Sequence, residues 1–281
     1  VLRGPQGTLF GKNASAGVVS IVTKRPTDKL EGTVETSYFD KAEYRARATV
    51  NVPLSDKVRS RFTGFYGQYD GNVYNLATKS KVNGYKHYGF RGVIEADATE
   101  TLKLTLRGDY RKANDDCCGE IISPRPTNAA ALALTGTTFD GVEARTVNQN
   151  LVTATKEKSW GTSLQADLEL GDHTLTSITS YRGWDNREIR DGDWLSQPYV
   201  GLNQLHDNGP QTSHTFTQEV RIASPTGGLI EYVIGAYYSR AKSERTFTRN
   251  VIACTASTLA EITAGLRPCV ADPAVSTFTN P

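Results

Sequence analysis

The sequence predicts an all-β chain, part of a large antiparallel transmembrane β-barrel, and three observations carry that reading. Apolar and polar residues alternate with period two along most of the chain, which places one face of each segment in an apolar medium and the other in a polar one. Many of these segments run for 10 to 13 residues, beyond the ~5–6 usual in soluble strands and close to what a tilted strand needs to cross a bilayer. Their connections are alternately short and long, so the short turns fall on one edge of the sheet and the long connections on the other. Membrane-spanning barrels show that asymmetry.

Nine strands are expected, near 31–39, 43–52, 58–69, 85–97, 102–112, 159–170, 174–184, 215–223 and 229–245. In the second, Tyr44, Ala46, Ala48, Val50 and Val52 share a face opposite Arg45, Arg47, Thr49 and Asn51. In the fifth, Leu102, Leu104, Leu106 and Tyr110 oppose Lys103, Thr105, Arg107 and Asp109. In the sixth, Leu164, Ala166, Leu168 and Leu170 oppose Ser163, Gln165, Asp167 and Glu169. Short turns are read at 53–57, 98–101, 171–173 and 224–228, where Pro, Gly, Asp and Ser supply turn chemistry. Residues 40–42 make the one short connection on the other edge. The long connections are 70–84, 113–158, 185–214 and 246 onward; structureless stretches of 46 and 30 residues are unusual inside a compact soluble domain. Ten of the 13 tyrosines (38, 44, 66, 69, 85, 88, 110, 181, 237 and 238) lie in the strand halves nearest the long connections, with Trp160 and Trp184. A belt of amphipathic rings at one level is what a lipid–water interface selects.

Bulk composition excludes several classes. Lys and Arg number 32 against 30 acidic residues, so no charge excess points to a nucleic-acid partner. Of the four cysteines, Cys117 and Cys118 are adjacent and Cys254 and Cys269 stand 15 apart, all in expected loops. An even count in loops suits an oxidising compartment but leaves connectivity open. Cys254–Cys269 closing an external loop is the expectation, and Cys117 and Cys118 either bond to each other or pair elsewhere. There is no C-x-x-C spacing, and the only histidines are His87, His173, His206 and His214, so neither a metal site nor a cofactor is expected. Gly7-Thr8-Leu9-Phe10-Gly11-Lys12-Asn13 looks briefly like a phosphate-binding loop. It has one residue too few between its glycines, and Asn13 where a magnesium-binding hydroxyl belongs. With no G-x-S-x-G or H-E-x-x-H either, no catalytic residue is named and the chain is not expected to be an enzyme.

The most specific string is the first 26 residues, VLRGPQGTLFGKNASAGVVSIVTKRP. A glycine-rich loop leads through Ala14, Ser15, Ala16 and Gly17 into a strand-like run at 18–23, ended by Lys24-Arg25-Pro26, where proline cannot continue a ladder. The string resembles the end of the plug domain in TonB-dependent outer-membrane receptors, where an RGP-containing turn and a GGVI-like strand precede the barrel. The runs LTSITSYRGW (175–184), TQEVRIAS (217–224) and YVIGAYYSR (232–240) also resemble barrel strands of that family. The resemblance implies residues 1–26 as the C-terminal end of the plug and 27–281 as the N-terminal part of a 22-stranded barrel in a Gram-negative outer membrane. Because the chain contains no methionine, it is expected to belong to a longer protein. The resemblance further implies active uptake of a scarce solute, an iron–siderophore complex by default. The implied partners are TonB with its inner-membrane energising complex, outer-membrane lipid and a small ligand such as a ferric siderophore.

Such a machine needs a plug that is held yet displaceable, which favours polar contacts with the wall. Inward charges fit: Arg45, Arg47, Arg59, Arg61, Arg91, Glu95, Arg107, Asp109, Asp167, Glu169, Glu219 and Arg221. The resemblance implies that Arg3 of the RGP turn pairs with a barrel-wall glutamate; Glu219, with Arg221 beside it, is the candidate in this chain. A substrate-binding loop is read at 184–199, where Trp184, Arg187, Arg190, Trp194 and Tyr199 could hold an anionic chelate by charge and stacking. A passive porin or adhesin barrel is the alternative; it accounts for the alternation, the loops and the aromatic belt, but not for residues 1–26. A soluble β-sandwich would not need strands of this length.

Overall fold

A computed structural model describes residues 1–4, 16–121, 143–254 and 267–280. Two short strands, β1 (Leu2–Arg3) and β2 (Gly17–Val18), pair with each other. The wall follows: β3 (Glu31–Phe39), β4 (Glu43–Ser55), β5 (Val58–Tyr69), then two short external strands, β6 (Val73–Asn75) and β7 (Ser80–Val82). After these come β8 (Tyr85–Asp97), β9 (Leu102–Asp115), the short β10 (Thr146–Val147), β11 (Ala154–Leu170), β12 (His173–Asp191), β13 (Gln204–Ala223), β14 (Val233–Arg245), β15 (Phe247–Ala253) and β16 (Ala274–Asn280). One antiparallel sheet runs β3-β4-β5-β8-β9-β11-β12-β13-β15-β16, with β14 also on β13. Among the described residues there is no helix, and the fold is the all-β antiparallel sheet the alternation predicts.

Each of the nine expected strands has a counterpart, and the differences have physical causes. The 30-residue connection expected at 185–214 is mostly strand, because β12 continues to Asp191 and β13 begins at Gln204. Residues such as Asp185, Asn186, Glu188 and Arg190 lack an apolar face since this part of the hairpin stands in water on both sides. Backbone pairing needs no apolar face, so the ladder continues from Trp184↔Ser213 to Asp191↔His206. β4 likewise runs through Pro53 to Ser55, with a bulge before the Asp56-Lys57 turn. The last expected strand starts at Val233 instead of 229, since Ser224 and Tyr232 close the turn by backbone and side-chain hydrogen bonds. Beyond 246 lie β15 and β16, which lack the length and alternation of the others. β14 and β15 share one register on β13 (Gln211↔Arg245, Asn208↔Thr248). Thr246 N–H donates to the Pro210 carbonyl at 3.0 Å, but Pro210 has no N–H to return, and the ladder loses one bond there.

Residues directly opposite in the register share a face, and this sorts the side chains into outer and inner sets. Val34, Val50, Phe62, Ile94, Leu104, Leu106, Leu164 and Val220 are on the outer face, and most are exposed. Toward the long connections the outer face carries linked rings: Phe90 on Tyr110 (5.9 Å), Trp160 on Tyr181 (5.5 Å), Tyr181 on His214 (6.2 Å) and Phe216 on Tyr238 (6.3 Å). Gly183 is the local reason the row is continuous. A Cβ there would lie 2.5 Å from the Trp160 indole, so only glycine lets the ring lie across β12 to His214. The belt is narrower than expected, for Tyr69, Tyr85, Tyr237 and Trp184 fall on the opposite parity and face inward.

Outside the wall, β10-β6-β7 make a small sheet closed over Val73, Val82 and Val147, with Ile121 and Val152 against them. Asn75, fully buried, ties it to the next segment by donating to the Gln149 carbonyl (2.9 Å) and accepting from Gln149 N–H (3.1 Å).

Candidate functional site: the inner face of the wall

The segment leading into β3 lies against the inner face, held by one wall residue. Asn51 on β4 has no exposed surface. Its Oδ1 accepts from Thr27 N–H (2.9 Å), and its Nδ2 donates to the carbonyls of Thr27 (2.8 Å) and Lys29 (2.6 Å). One amide thus satisfies three backbone groups of an otherwise irregular segment. Immediately before Thr27, Pro26 is buried, and Arg25 approaches Glu95 at 4.0 Å. Glu95 is 3% exposed and meets Lys103 at 3.3 Å on its other side. Asp28 reaches Arg59 at 3.3 Å. Apart from Pro26, every anchor is polar or ionic.

Farther round the wall the inner face is a lattice of charge and amide. Arg182 clasps Asp109 with two bonds (3.1 and 2.9 Å) across Gly161 of the intervening strand, whose missing side chain leaves room for the guanidinium. Arg107 donates to Gln165 (3.0 Å), and Gln165 and Thr176 both donate to Asp167 (2.8 Å each). Three arginines stand apart from these pairs. Arg47, Arg61 and Arg91, on β4, β5 and β8, make no ion pair among the described residues, and with Lys24 they line a groove of about 620 Å³ between the incoming segment and the wall. A cationic groove of this kind can hold carboxylates or other oxyanions.

The other expected site residues are not brought together. Glu219 and Arg221 face inward as read and pair with each other at 2.7 Å. Arg3 lies in β1, opposite Gly17. The substrate loop at 184–199 is divided: Trp184, Arg187 and Arg190 are on strand β12, and only Trp194 and Tyr199 are in the loop at 192–203. Trp184 faces inward, opposite Ser159 at the groove. Arg187 is on the outer face, where it donates to Asn208 (2.8 Å). Arg190 is inward and reaches Cys118 Sγ (3.4 Å). Trp194 is 41% exposed, whereas Tyr199 is 2% exposed and bridges to Leu202 and Pro268. The Gly7–Asn13 string lies outside the described residues. What the sequence reading missed is the Asn51 clamp; its only signal was an asparagine on the polar face of a strand.

Cys254 and Cys269 are joined as a disulfide, Cα to Cα 6.1 Å, beside the backbone bond from Cys269 N–H to the Pro198 carbonyl. Cys117 and Cys118 are free thiols. Burial, and then the adjoining Cys118, push the Cys117 thiol up to about 11. A thiol so placed stays protonated at neutral pH, and the thiolate is the reactive form. Iodoacetamide at pH 8 is therefore expected to modify Cys117 about tenfold or more slowly than a cysteine in an unstructured peptide, with the rate climbing as pH approaches 11. Rapid labelling at pH 7 would contradict this. Among the described residues no group of His, Cys, Asp and Glu is disposed to hold a metal ion.

No protein-family model matches the chain. It is 36% identical over 81 residues to the pesticin receptor of Yersinia pestis, covering 28% of this chain and 12% of that protein. It is 30% identical over 176 residues to the ferric enterobactin receptor PirA of Pseudomonas aeruginosa, covering 58% and 24% respectively. The crystal structure of the ferric yersiniabactin uptake receptor FyuA from Yersinia pestis superposes with a TM-score of 0.69 at 17% identity, over 89% of this chain and 39% of that one. The siderophore receptor PiuA from Acinetobacter baumannii gives 0.64 at 16% identity, over 99% and 41%. At these identities the structural likeness establishes the fold. The chain spans less than a quarter of the length of the first of these relatives and under half of each solved structure.

Proposed function

We propose, for a chain that belongs to the TonB-dependent outer-membrane receptor family and resides in the outer membrane of a Gram-negative bacterium, that it serves active uptake of a scarce solute, an iron–siderophore complex, into the periplasm. In this reading residues 1–26 are the closing segment of the plug and 27–281 form part of the barrel, and coupling to TonB supplies the energy. The observation that carries it is the polar docking of residues 25–29 on the inner face, by Asn51 and Glu95. A segment threaded inside the wall and held by hydrogen bonds and charge can be released without tearing an apolar seal, which an energised gate requires and a passive pore does not. The relatives it resembles are receptors, which supports reading it as a transporter.

The test is uptake of ferric siderophores by iron-starved cells with the gene intact and deleted. Deletion is expected to lower uptake of one siderophore at least about tenfold, and an uncoupler is expected to abolish the difference. Uptake that survives the uncoupler would place the protein with the passive porins. Unchanged uptake of every siderophore tried would remove iron from the proposal.

A further inference from the structure

Two pairs of cysteines stand at the external end of the wall in different oxidation states. Cys254 and Cys269 are bonded, whereas Cys117 and Cys118 are free thiols. Adjacency accounts for the difference. The Cα atoms of neighbouring residues are at most about 3.8 Å apart, inside the ~4.4–6.8 Å that an ordinary disulfide spans; Cys254 and Cys269 are 6.1 Å apart. A bond between Cys117 and Cys118 is therefore strained, needs a stronger oxidant and is easily reversed. The fold nevertheless holds the two sulfurs together. Before the pair, Asn83 N–H donates to the Asp116 carbonyl (3.1 Å) and Asp116 N–H to the Gly84 carbonyl (3.3 Å). After it, Asn83 Nδ2 donates to the Gly119 carbonyl (3.0 Å) and its Oδ1 accepts from Gly119 N–H (2.6 Å). Both cysteines are half-buried, and the Cys117 thiol touches Cys118 and Thr155. The Arg190 guanidinium, on the inner face of β12, donates to Cys118 Sγ at 3.4 Å.

We infer that Cys117 and Cys118 are a reversible oxidation site for hydroperoxides, with Cys118 the attacking sulfur, Cys117 the resolving one and Arg190 a positioning residue. In the first step the Cys118 thiolate takes the terminal peroxide oxygen. The S–O bond forms, the O–O bond breaks, and the other oxygen leaves as alkoxide, or as hydroxide from hydrogen peroxide, and is protonated by water. Cys118 is then a sulfenic acid. In the second step the Cys117 thiol attacks that sulfur: the S–S bond forms, the S–O bond breaks, and the Cys117 proton leaves with the hydroxide as water. Two thiols and one hydroperoxide give one disulfide, one water and one alcohol or second water. Small external thiols reverse it by exchange, two of them ending as a disulfide. The guanidinium selects Cys118, because negative charge sits on the attacking sulfur. Burial keeps the Cys117 thiol protonated up to about pH 11, which suits it to deliver the proton that departs with water. Oxidation takes from Arg190 its sulfur acceptor and turns it toward Glu188, 3.8 Å away, so the charge lining the mouth rearranges with redox state. The inference is independent of what is transported.

The experiment treats the purified full-length receptor in a neutral detergent with hydrogen peroxide, quenches it with N-ethylmaleimide in denaturant, and digests it without reductant for mass spectrometry. The peptide holding both cysteines is expected to be lighter by two hydrogens and to carry no maleimide. Brief exposure to dithiothreitol is expected to restore both maleimide sites while Cys254–Cys269 stays closed. Cys117→Ser is expected to stop at a sulfenic acid on Cys118, captured by dimedone. Cys118→Ser is expected to lower the rate at which peroxide consumes Cys117 at least about tenfold. Arg190→Gln should give the same disulfide about tenfold more slowly, and Arg190→Lys should recover most of the rate. Native protein that keeps both thiols open to maleimide, at peroxide levels that oxidise free glutathione, would overturn the inference. So would a bond from either cysteine to any other, or oxidation of Cys117 at the native rate in Cys118→Ser. An unchanged rate in Arg190→Gln would overturn the part given to Arg190. The native arms need no variant, so they stand even if a variant does not fold.

Discussion

Replacing Asn51 by leucine in the full-length receptor is expected to free the incoming segment and make cells leak to solutes that the closed barrel excludes. Leucine nearly matches asparagine in size but offers no polar atom, so Thr27 N–H and the carbonyls of Thr27 and Lys29 lose their partners together. Each hydrogen bond lost costs about 0.5–1.5 kcal/mol, and Asn51, which makes all three, is fully buried. The combined penalty is several kcal/mol on a segment whose other anchors are Pro26, an Arg25–Glu95 approach of 4.0 Å and an exposed Asp28–Arg59 pair. In both pairs the segment's own member, Arg25 or Asp28, is exposed, and ion pairs open to solvent contribute about 1 kcal/mol at most, so they do not compensate. The strand is spared, because β4 pairs with β3 and β5 through its backbone. The barrel should keep its heat-modifiable migration while the minimum inhibitory concentration of a large antibiotic such as vancomycin falls about tenfold. Asn51→Asp should leak as well, since a carboxylate accepts from Thr27 N–H but confronts two carbonyls. Unchanged sensitivity in a correctly folded leucine variant would mean that the segment is held elsewhere.

The way the wall reads from sequence explains why such a residue is hard to foresee. Alternation exposes which residues face inward wherever one face meets lipid, so Arg47, Arg61, Glu95, Asp109, Glu219 and Arg221 can be placed on the inner face from the pattern alone. The same logic goes silent where lipid ends. Asp185 to Arg190 continue β12 with both faces wet, and composition there cannot be told from a loop. Trp184 shows the complementary failure: a tryptophan at belt height is on the belt only if its parity is right, and parity depends on the register set by Gly183 and its neighbours. Side-chain contacts across strands lie further from view. Nothing local to Asn51 distinguishes it from Thr49, and its role depends on a segment 24 residues upstream folding back onto it. The five residues expected to form one ligand loop are dispersed for a related reason: an odd spacing along a strand reverses the face, so Arg187 and Arg190, three apart on β12, point to opposite sides of the wall.

Changing Arg47, Arg61 and Arg91 together to glutamine is expected to abolish high-affinity capture of an anionic cargo while leaving the wall intact. The three come from adjacent strands yet make no ion pair among the described residues, in a face where Arg182, Arg107, Arg111 and Arg221 are each engaged. Repulsion among cations converging on one groove is tolerated when an anion completes it, so their spare charge is read as binding capacity. A hydrogen bond to a charged group contributes about 1.5–3 kcal/mol, and losing two of them corresponds to roughly a hundredfold or more in affinity. Lysine at the same positions keeps the charge but not the planar donor fork, and should recover only part of the loss. Binding of ferric siderophores to energy-depleted cells measures this without transport, and vancomycin sensitivity in the same strains reports whether the plug is still seated. Weak binding with a tight barrel is the expected pair of results. A leaking barrel with normal binding would assign the arginines to the plug's own carboxylates, and normal binding with a tight barrel would leave the groove without a role.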